Sequence, residues 1–292
     1  MNQGVFDLPV LRRLSEHVSE RLAGELPVIV VDHPVCRAAV ALQGAHLIAW
    51  QPAGQEPVLW LSDATAFAAG TAIRGGVPVC WPWFGPAGSP SHGFARTSTF
   101  ELAAHAEDAD AVELTLRLAG TESTKAIWPH EFELLLTFKL GGEECGVTLE
   151  ARGDFESTGA LHSYFNVGDI DGVSVSGIGV PYLDKVEETE GTQDGALTFP
   201  GRIDRVYTAP EAVSLIEDPA LRRVIEVRHH GQTDVVTWNP GPALSKSMTD
   251  LTDEGYREFC CVETGRISAP MVSAEGRAAR LGTTIRVLGS SV

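Results

Sequence analysis

The 292-residue chain lacks any basic cluster: 39 acidic residues outnumber 22 lysines and arginines, for a formal net charge of -17. Nonspecific binding to nucleic acid and attachment to anionic membranes rely on grouped cations and released counterions, so this balance argues against both partners. It does not argue against an anionic small molecule. Charges beyond about 8–10 Å are screened, and a few arginines converging in a cleft set the local field. The chain also lacks any run of about 18 apolar residues, the length a membrane helix requires. Its first residues, MNQGVFDLPVLRRL, carry no basic region leading into an apolar signal segment. A cytoplasmic location is expected. The five cysteines, Cys36, Cys80, Cys145, Cys260 and Cys261, are an odd number and show no CxxC spacing of a zinc or redox site. Reduced, buried thiols are the expectation.

Long helical periodicity is nearly absent. The best helical stretch is 10–23, where apolar residues recur at three- and four-residue steps, and a short turn is predicted over 249–257. What recurs instead is a run of a few Val, Leu, Ile or Phe residues bounded by Gly, Pro or Asp, as at 27–31, 38–42 and 45–50. Apolar and polar residues alternate over 112–118, 132–140 and 145–151. Further strands are predicted over 161–167, 173–177, 214–217, 223–229, 234–238, 259–263 and 283–288. The fold class this predicts is all-β, a large, mainly antiparallel β-sandwich with few short helices. With 43% hydrophobic and 21% charged residues, the chain can fill a sizeable core. All-β folds often reach this length as one unit, so residues 1–292 read as one domain, with 1–26 an N-terminal extension packed on the sandwich. Glycine and proline are spread evenly and mark no linker. The acidic stretch 184–194 reads as a solvated loop.

The segment 73–96, IRGGVPVCWPWFGPAGSPSHGFAR, is the most informative. Pro78, Pro82, Pro86 and Pro90 preclude a continuous helix or a central strand, so it reads as a structured loop. Its aromatic residues and its two arginines suit a sugar bearing a negative group. Arg74 and Arg96 are the candidate anion contacts, with an ordinary pairing to an acidic neighbour as the alternative. Gly75 and Gly76 permit positive φ or close backbone approach. His92 lies in this loop, and His162 sits in an unusually polar stretch, ALHSYFNVGDI, where a histidine that titrates near neutrality suits acid–base work. Glu263 ends the apolar run FCCVE, as either a structural ion pair or a base at a strand end. His229 and His230 are adjacent on a predicted strand, point to opposite faces and make no metal site.

Taken together, IRGGVPVCWPWFG, HGFAR, LHSYFNVGD, RIDRVY and CVETG resemble the hexose-6-phosphate mutarotase family, the glucose-6-phosphate 1-epimerases, a branch of the aldose 1-epimerases. The resemblance spans roughly residues 28–287. It implies a galactose-mutarotase-like twisted β-sandwich and interconversion of the α and β anomers of a hexose 6-phosphate. By the same resemblance, His162 and Glu263 match the catalytic histidine and glutamate, and Arg74, Arg96 and Asp204 match substrate-contacting positions. His92 is expected to steady developing charge or bond a ring hydroxyl. Ser91 stands where the family commonly has glutamine, and its shorter reach limits it to an indirect sugar contact. The expected partner is a small-molecule sugar phosphate, with no metal or organic cofactor, acting on a monomer. His162 and Glu263 are expected to face one another across a sugar-sized hollow. The alternatives are a 1-epimerase acting on free sugars and a noncatalytic carbohydrate-binding protein. A glycoside hydrolase fits less well, since most such enzymes use two carboxyl groups.

Overall fold

Every second residue of 112–118 is apolar, and the computed structural model, which describes residues 3–289, buries Val112, Leu114 and Leu116 completely while Glu113 stays exposed. A strand puts successive side chains on opposite faces, so this alternation makes one face core and the other solvent. The same rule builds three antiparallel sheets.

The first sheet is a meander of β1 (Val10–Arg13), β2 (Val18–Ala23), β3 (Leu26–His33), β4 (Cys36–Ala41) and β5 (His46–Pro52). Residues 10–23 therefore form a hairpin and not the helix their spacing predicts. Helix formation in isolation is weak, whereas β2 pairs along the full edge of β3 and satisfies its backbone groups there. Val18 and Ala23 go into the core, and Val10, Leu11 and Leu22 remain exposed.

After the loop and the short β6 (Val79–Cys80), the chain forms β7 (Glu101–Glu107), β8 (Ala111–Ala119), β9 (Phe132–Gly141), β10 (Glu144–Gly153), β11 (Phe155–Leu161) and β12 (Tyr164–Asn166). It continues through β13 (Ser174–Ser176), β14 (Pro181–Asp184), β15 (Thr189–Thr192), β16 (Ile203–Tyr207), β17 (Val213–Asp218), β18 (Arg223–His230), β19 (Asp234–Asn239), β20 (Phe259–Ser273) and β21 (Ala279–Gly289). One eight-stranded sheet runs β13-β17-β18-β21-β10-β9-β8-β7. The other runs β15-β14-β16-β19-β20-β11-β6, with β12 also on β20. A single buried apolar cluster draws on all three sheets, from Val31 and Val40 through Leu114 and Leu149 to Phe165 and Val262. The all-β, antiparallel expectation holds.

Only short helices interrupt the strands among the described residues: α1 (Glu122–Ile127), begun by a Thr121 capping box, and α2 (Gly241–Ser245). The turn predicted over 249–257 leads into a 3-10 helix at Gly255–Glu258. The acidic stretch 184–194 is solvated but not a loop, because much of it pairs as the β14–β15 hairpin. The predicted strand 161–167 breaks in two between Leu161 and Tyr164, and β20 runs ten residues beyond its predicted end at 263, to Ser273. His229 is buried between Ser214 and Thr264, while His230 faces outward to Thr284, as opposite strand faces require. No helix among the described residues is long and apolar enough to cross a membrane.

One glycine ties the 73–96 loop to this framework. Gly76 has φ 61°, and a Cβ there would lie 2.2 Å from the Leu47 carbonyl oxygen and 2.8 Å from the Ile48 Cα, both backbone atoms of β5. Its N–H donates to the Trp60 carbonyl and its own carbonyl accepts from the Tyr164 N–H, so it links the Trp60 segment to β12 while packing against β5. Gly76→Ala is expected to cost about 2 kcal/mol or more, read as a lower urea midpoint at unchanged m-value. A midpoint equal to that of the parent protein would show that the contact yields without strain.

Candidate active site

Strand register alone assembles one side of the site. Tyr164 on β12 pairs with Cys261 on β20, Cys261 pairs with Trp238 on β19, and Trp238 pairs with Asp204 on β16. Directly paired residues share a face, so these four form a row across the sheet, and Glu263, two residues along β20 from Cys261, stands on the same face. The neighbours at odd steps, Phe165, Cys260, Val262 and Val235, all belong to the main core on the opposite face. Trp60, Phe259 and Leu251 pack with Tyr164 and Cys261 as a smaller cluster on the site face.

His162 enters at the break between β11 and β12. Its backbone N–H donates to Pro78, and its ring stacks on Tyr164 with centroids 4.7 Å apart and planes 5° from parallel. Nδ1 of His162 lies 3.3 Å from Oε1 of Glu263, with only 10% and 1% of the two side chains exposed. The pair therefore touches side by side and does not face across a hollow as expected, because the break that carries His162 lies alongside the part of β20 that carries Glu263. Their approach is not an aligned hydrogen bond: His162 Nδ1 and Glu263 Oε2 are buried with no hydrogen-bond partner among the described residues.

The 73–96 loop brings the other predicted residues alongside. His92, at φ 65°, puts its ring 6.0 Å from that of His162, and its Nδ1 accepts from the Gly85 N–H at 3.3 Å. Arg74 is held by Asp250, with Nε and Nη2 at 3.0 and 2.9 Å from the same carboxylate oxygen, and Nη1 donates to Tyr164 Oη at 2.9 Å. Its guanidinium also sits 5.9 Å from the Trp238 ring. Both sequence options for Arg74 thus stay in play: it does pair with an acidic residue, yet a guanidinium has five N–H donors and these bonds use three. Arg96 differs. Its Nη2 donates to the Ser91 carbonyl at 2.9 Å, and among the described residues no carboxylate pairs with it. Ser91 is itself exposed and meets Arg96 through its backbone.

Burial sets the protonation states. Glu263 is pushed well above the usual carboxylate range by desolvation, and then by the Asp204 charge. His162 is pushed well below the usual imidazole range by desolvation, then by His92, Arg74 and Arg96. His92 falls to about 4 by burial and the same two arginines. The Asp204 carboxyl is raised by burial, against the pull of Arg202 and Lys185. Both shifts favour the neutral forms, an uncharged imidazole beside a carboxyl that keeps its proton to higher pH than usual.

Sequence reading missed Tyr164, Trp238, Asp250 and Cys261. Tyr164 was within reach of it, being two residues from His162 on a predicted strand and so on the same face. Asp250 gave no signal, since 176 residues separate it from Arg74.

The architecture is that of the galactose mutarotase-like proteins: one from Clostridium acetobutylicum superposes with a TM-score of 0.71 at 12% identity, covering 93% of this chain and 98% of that one. The aldose 1-epimerase family model matches residues 27–286, and the chain belongs to that family. A Salmonella typhimurium protein named "Putative glucose-6-phosphate 1-epimerase" is 54% identical over 288 residues, covering 97% of this chain and 98% of its own. The crystal structure of a "putative mutarotase (YeaD)" from the same organism superposes with a TM-score of 0.96 at 53% identity, covering 98% of both chains.

A carboxyl raised by burial lowers the stability of the fold as it is forced to ionise. Its stabilising neutral form is fully present below the unfolded value near 4.5 and is lost as pH rises through the folded value. Glu263→Gln removes that ionisation. The variant is expected to gain thermal stability over the parent protein as pH rises above 4.5, and to show no such gain below it. A stability difference that does not change with pH would mean that Glu263 is not held neutral.

Proposed function

We propose that this chain interconverts the α and β anomers of a hexose 6-phosphate such as glucose 6-phosphate, as one domain and a monomer in the cytoplasm. The observation that carries the reading is the buried His162–Glu263 contact of 3.3 Å, flanked by Arg96 with no carboxylate partner among the described residues. The printed name of the 54% identical relative supports the choice of substrate.

Anomer exchange needs a proton taken from the C1 hydroxyl and a proton given to ring oxygen O5. The C1–O5 bond then breaks to give an open-chain aldehyde, rotation about C1–C2 turns the carbonyl, and closure reverses the transfers. Both oxygens are attached to the same carbon, so two catalytic groups standing side by side can serve them together. Glu263 takes the C1 proton through Oε2, the oxygen that lacks a hydrogen-bond partner. His162 gives a proton to O5 through Nε2. Burial favours the proton on Glu263 before substrate binds, so it first passes to Nδ1 when the two groups, 3.3 Å apart, turn into line. A sugar hydroxyl donating to Oε2 favours this shift by stabilising the carboxylate. Ring closure reverses both roles, and groups drawn toward each other's proton affinity suit such reversible work.

His92 stands close enough to His162 to bond a ring hydroxyl, and Asp204 supplies a carboxyl at the far end of the row. Ser91 supports Arg96 through its carbonyl, a task any side chain at that position permits. Arg96 holds the phosphate, and Arg74 offers its remaining donors while locked by Asp250 and Tyr164.

Glu263→Gln is expected to lower turnover by about 10²- to 10⁴-fold with the protein still folded. The measurement is NMR exchange or polarimetry on glucose 6-phosphate against an enzyme-free blank, and an unchanged rate rejects the assignment. Arg96→Ala is expected to weaken glucose 6-phosphate use by about 10- to 100-fold in kcat/KM, the equivalent of a charge-assisted bond of roughly 1.5–3 kcal/mol, with little change toward glucose. Equal losses on both sugars would make Arg96 a general sugar or structural contact.

A further inference from the structure

Cys261 takes no part in the ring-opening chemistry, yet its sulfur belongs to the same cluster. One ligand atom each from His162, Cys261 and Glu263 lies within 4.8 Å of the other two, and all three residues are buried. The register produces this: Cys261 and Glu263 stand two apart on one face of β20, and His162 reaches them from the break opposite. Two of the polar atoms gathered there, His162 Nδ1 and Glu263 Oε2, have no hydrogen-bond partner.

We propose that Cys261, His162 and Glu263 form a binding site for a zinc-like divalent cation, and that its occupancy inhibits the enzyme. A thiolate, an imidazole and a carboxylate are the donor set zinc favours, and hard cations such as magnesium, which take oxygen ligands, are disfavoured by two of the three. A point equidistant from three atoms up to 4.8 Å apart lies at most about 2.8 Å from each, against zinc–ligand distances of about 2.0–2.3 Å, so each ligand closes in by less than 1 Å. A water or a sugar hydroxyl completes the tetrahedron.

Binding releases the Cys261 thiol proton and the Glu263 carboxyl proton and places the metal on the imidazole lone pair, so charge and protons balance without any redox step. Burial raises the Cys261 thiol, so the metal must displace a proton held there. Among the described residues no other cysteine belongs to a cluster of three such ligands. Cys260, the adjacent thiol, lies on the core face of the same strand.

Metal binding stands without the proposed reaction, whereas inhibition rests on the reading of His162 and Glu263 as the proton-transfer pair. The test titrates the full-length protein with cobalt(II) chloride, following the thiolate-to-metal charge-transfer absorption, then displaces the cobalt with zinc chloride. Anomerase activity is measured in parallel against zinc chloride and after EDTA. The expected result is a charge-transfer band that zinc abolishes and a loss of activity that EDTA restores. Cys261→Ala and Cys261→Ser, each measured against its own zinc-free rate, are expected to lose the band and need at least tenfold more zinc for half-inhibition. Cys260→Ala is expected to behave like the parent protein. Absence of the band in the parent protein, or its persistence in both Cys261 variants, overturns the site. A band accompanied by undiminished activity overturns the inhibition, and with it the catalytic reading of the pair, while leaving the metal site in place.

Discussion

The site depends on placing a carboxyl group almost out of reach of water, with no lysine or arginine paired to it among the described residues. Glu263 is almost wholly buried, its nearest ionisable contact is an imidazole that burial also keeps neutral, and Asp204 adds a like charge nearby. A charged carboxylate in such surroundings is costly, so the protein holds the acid form and gives up stability to do so. Arg74, on the same side of the sheet, is bound to Asp250 and Tyr164. Burial shifts Glu263 upward and His162 downward, so both groups favour their neutral forms, unlike the partners of a structural ion pair.

The sheet makes this affordable through a division between its faces. Along β20, Cys260 and Val262 anchor the strand in the main core, while Cys261 and Glu263 project on the other side. The burial of the first set fixes the register, and the register fixes the second set. A shift of one residue would exchange the two faces, so the packing of the core and the alignment of the site are one constraint. The aromatic cluster of Trp60, Tyr164 and Phe259 then shields the site face without occupying the His162–Glu263 contact.

The two arginines differ in how this strongly acidic protein holds them. Arg74 is tied to an acidic partner, whereas Arg96 donates to a carbonyl and has no carboxylate partner among the described residues. Because Ser91 acts on Arg96 through its backbone carbonyl, this support does not depend on the side chain at that position. The global charge says little about a cleft in which the nearest groups decide the field.

Much of this was legible in the chain itself. Alternation over 112–118, 132–140 and 145–151 determined strands with one apolar face, because period-two burial follows from backbone geometry. The motif-bearing stretches singled out His162, Glu263, Arg74 and Arg96. Spacing misled at 10–23, where apolar steps of three and four met an open sheet edge that offered more hydrogen bonds than a short helix. Only tertiary structure decided that His162 and Glu263 touch, that Asp250 holds Arg74 from 176 residues away, and that Cys261 joins the pair. These depend on which strands become neighbours and in what register, and that choice is made by packing of the whole core, which no local stretch of sequence contains.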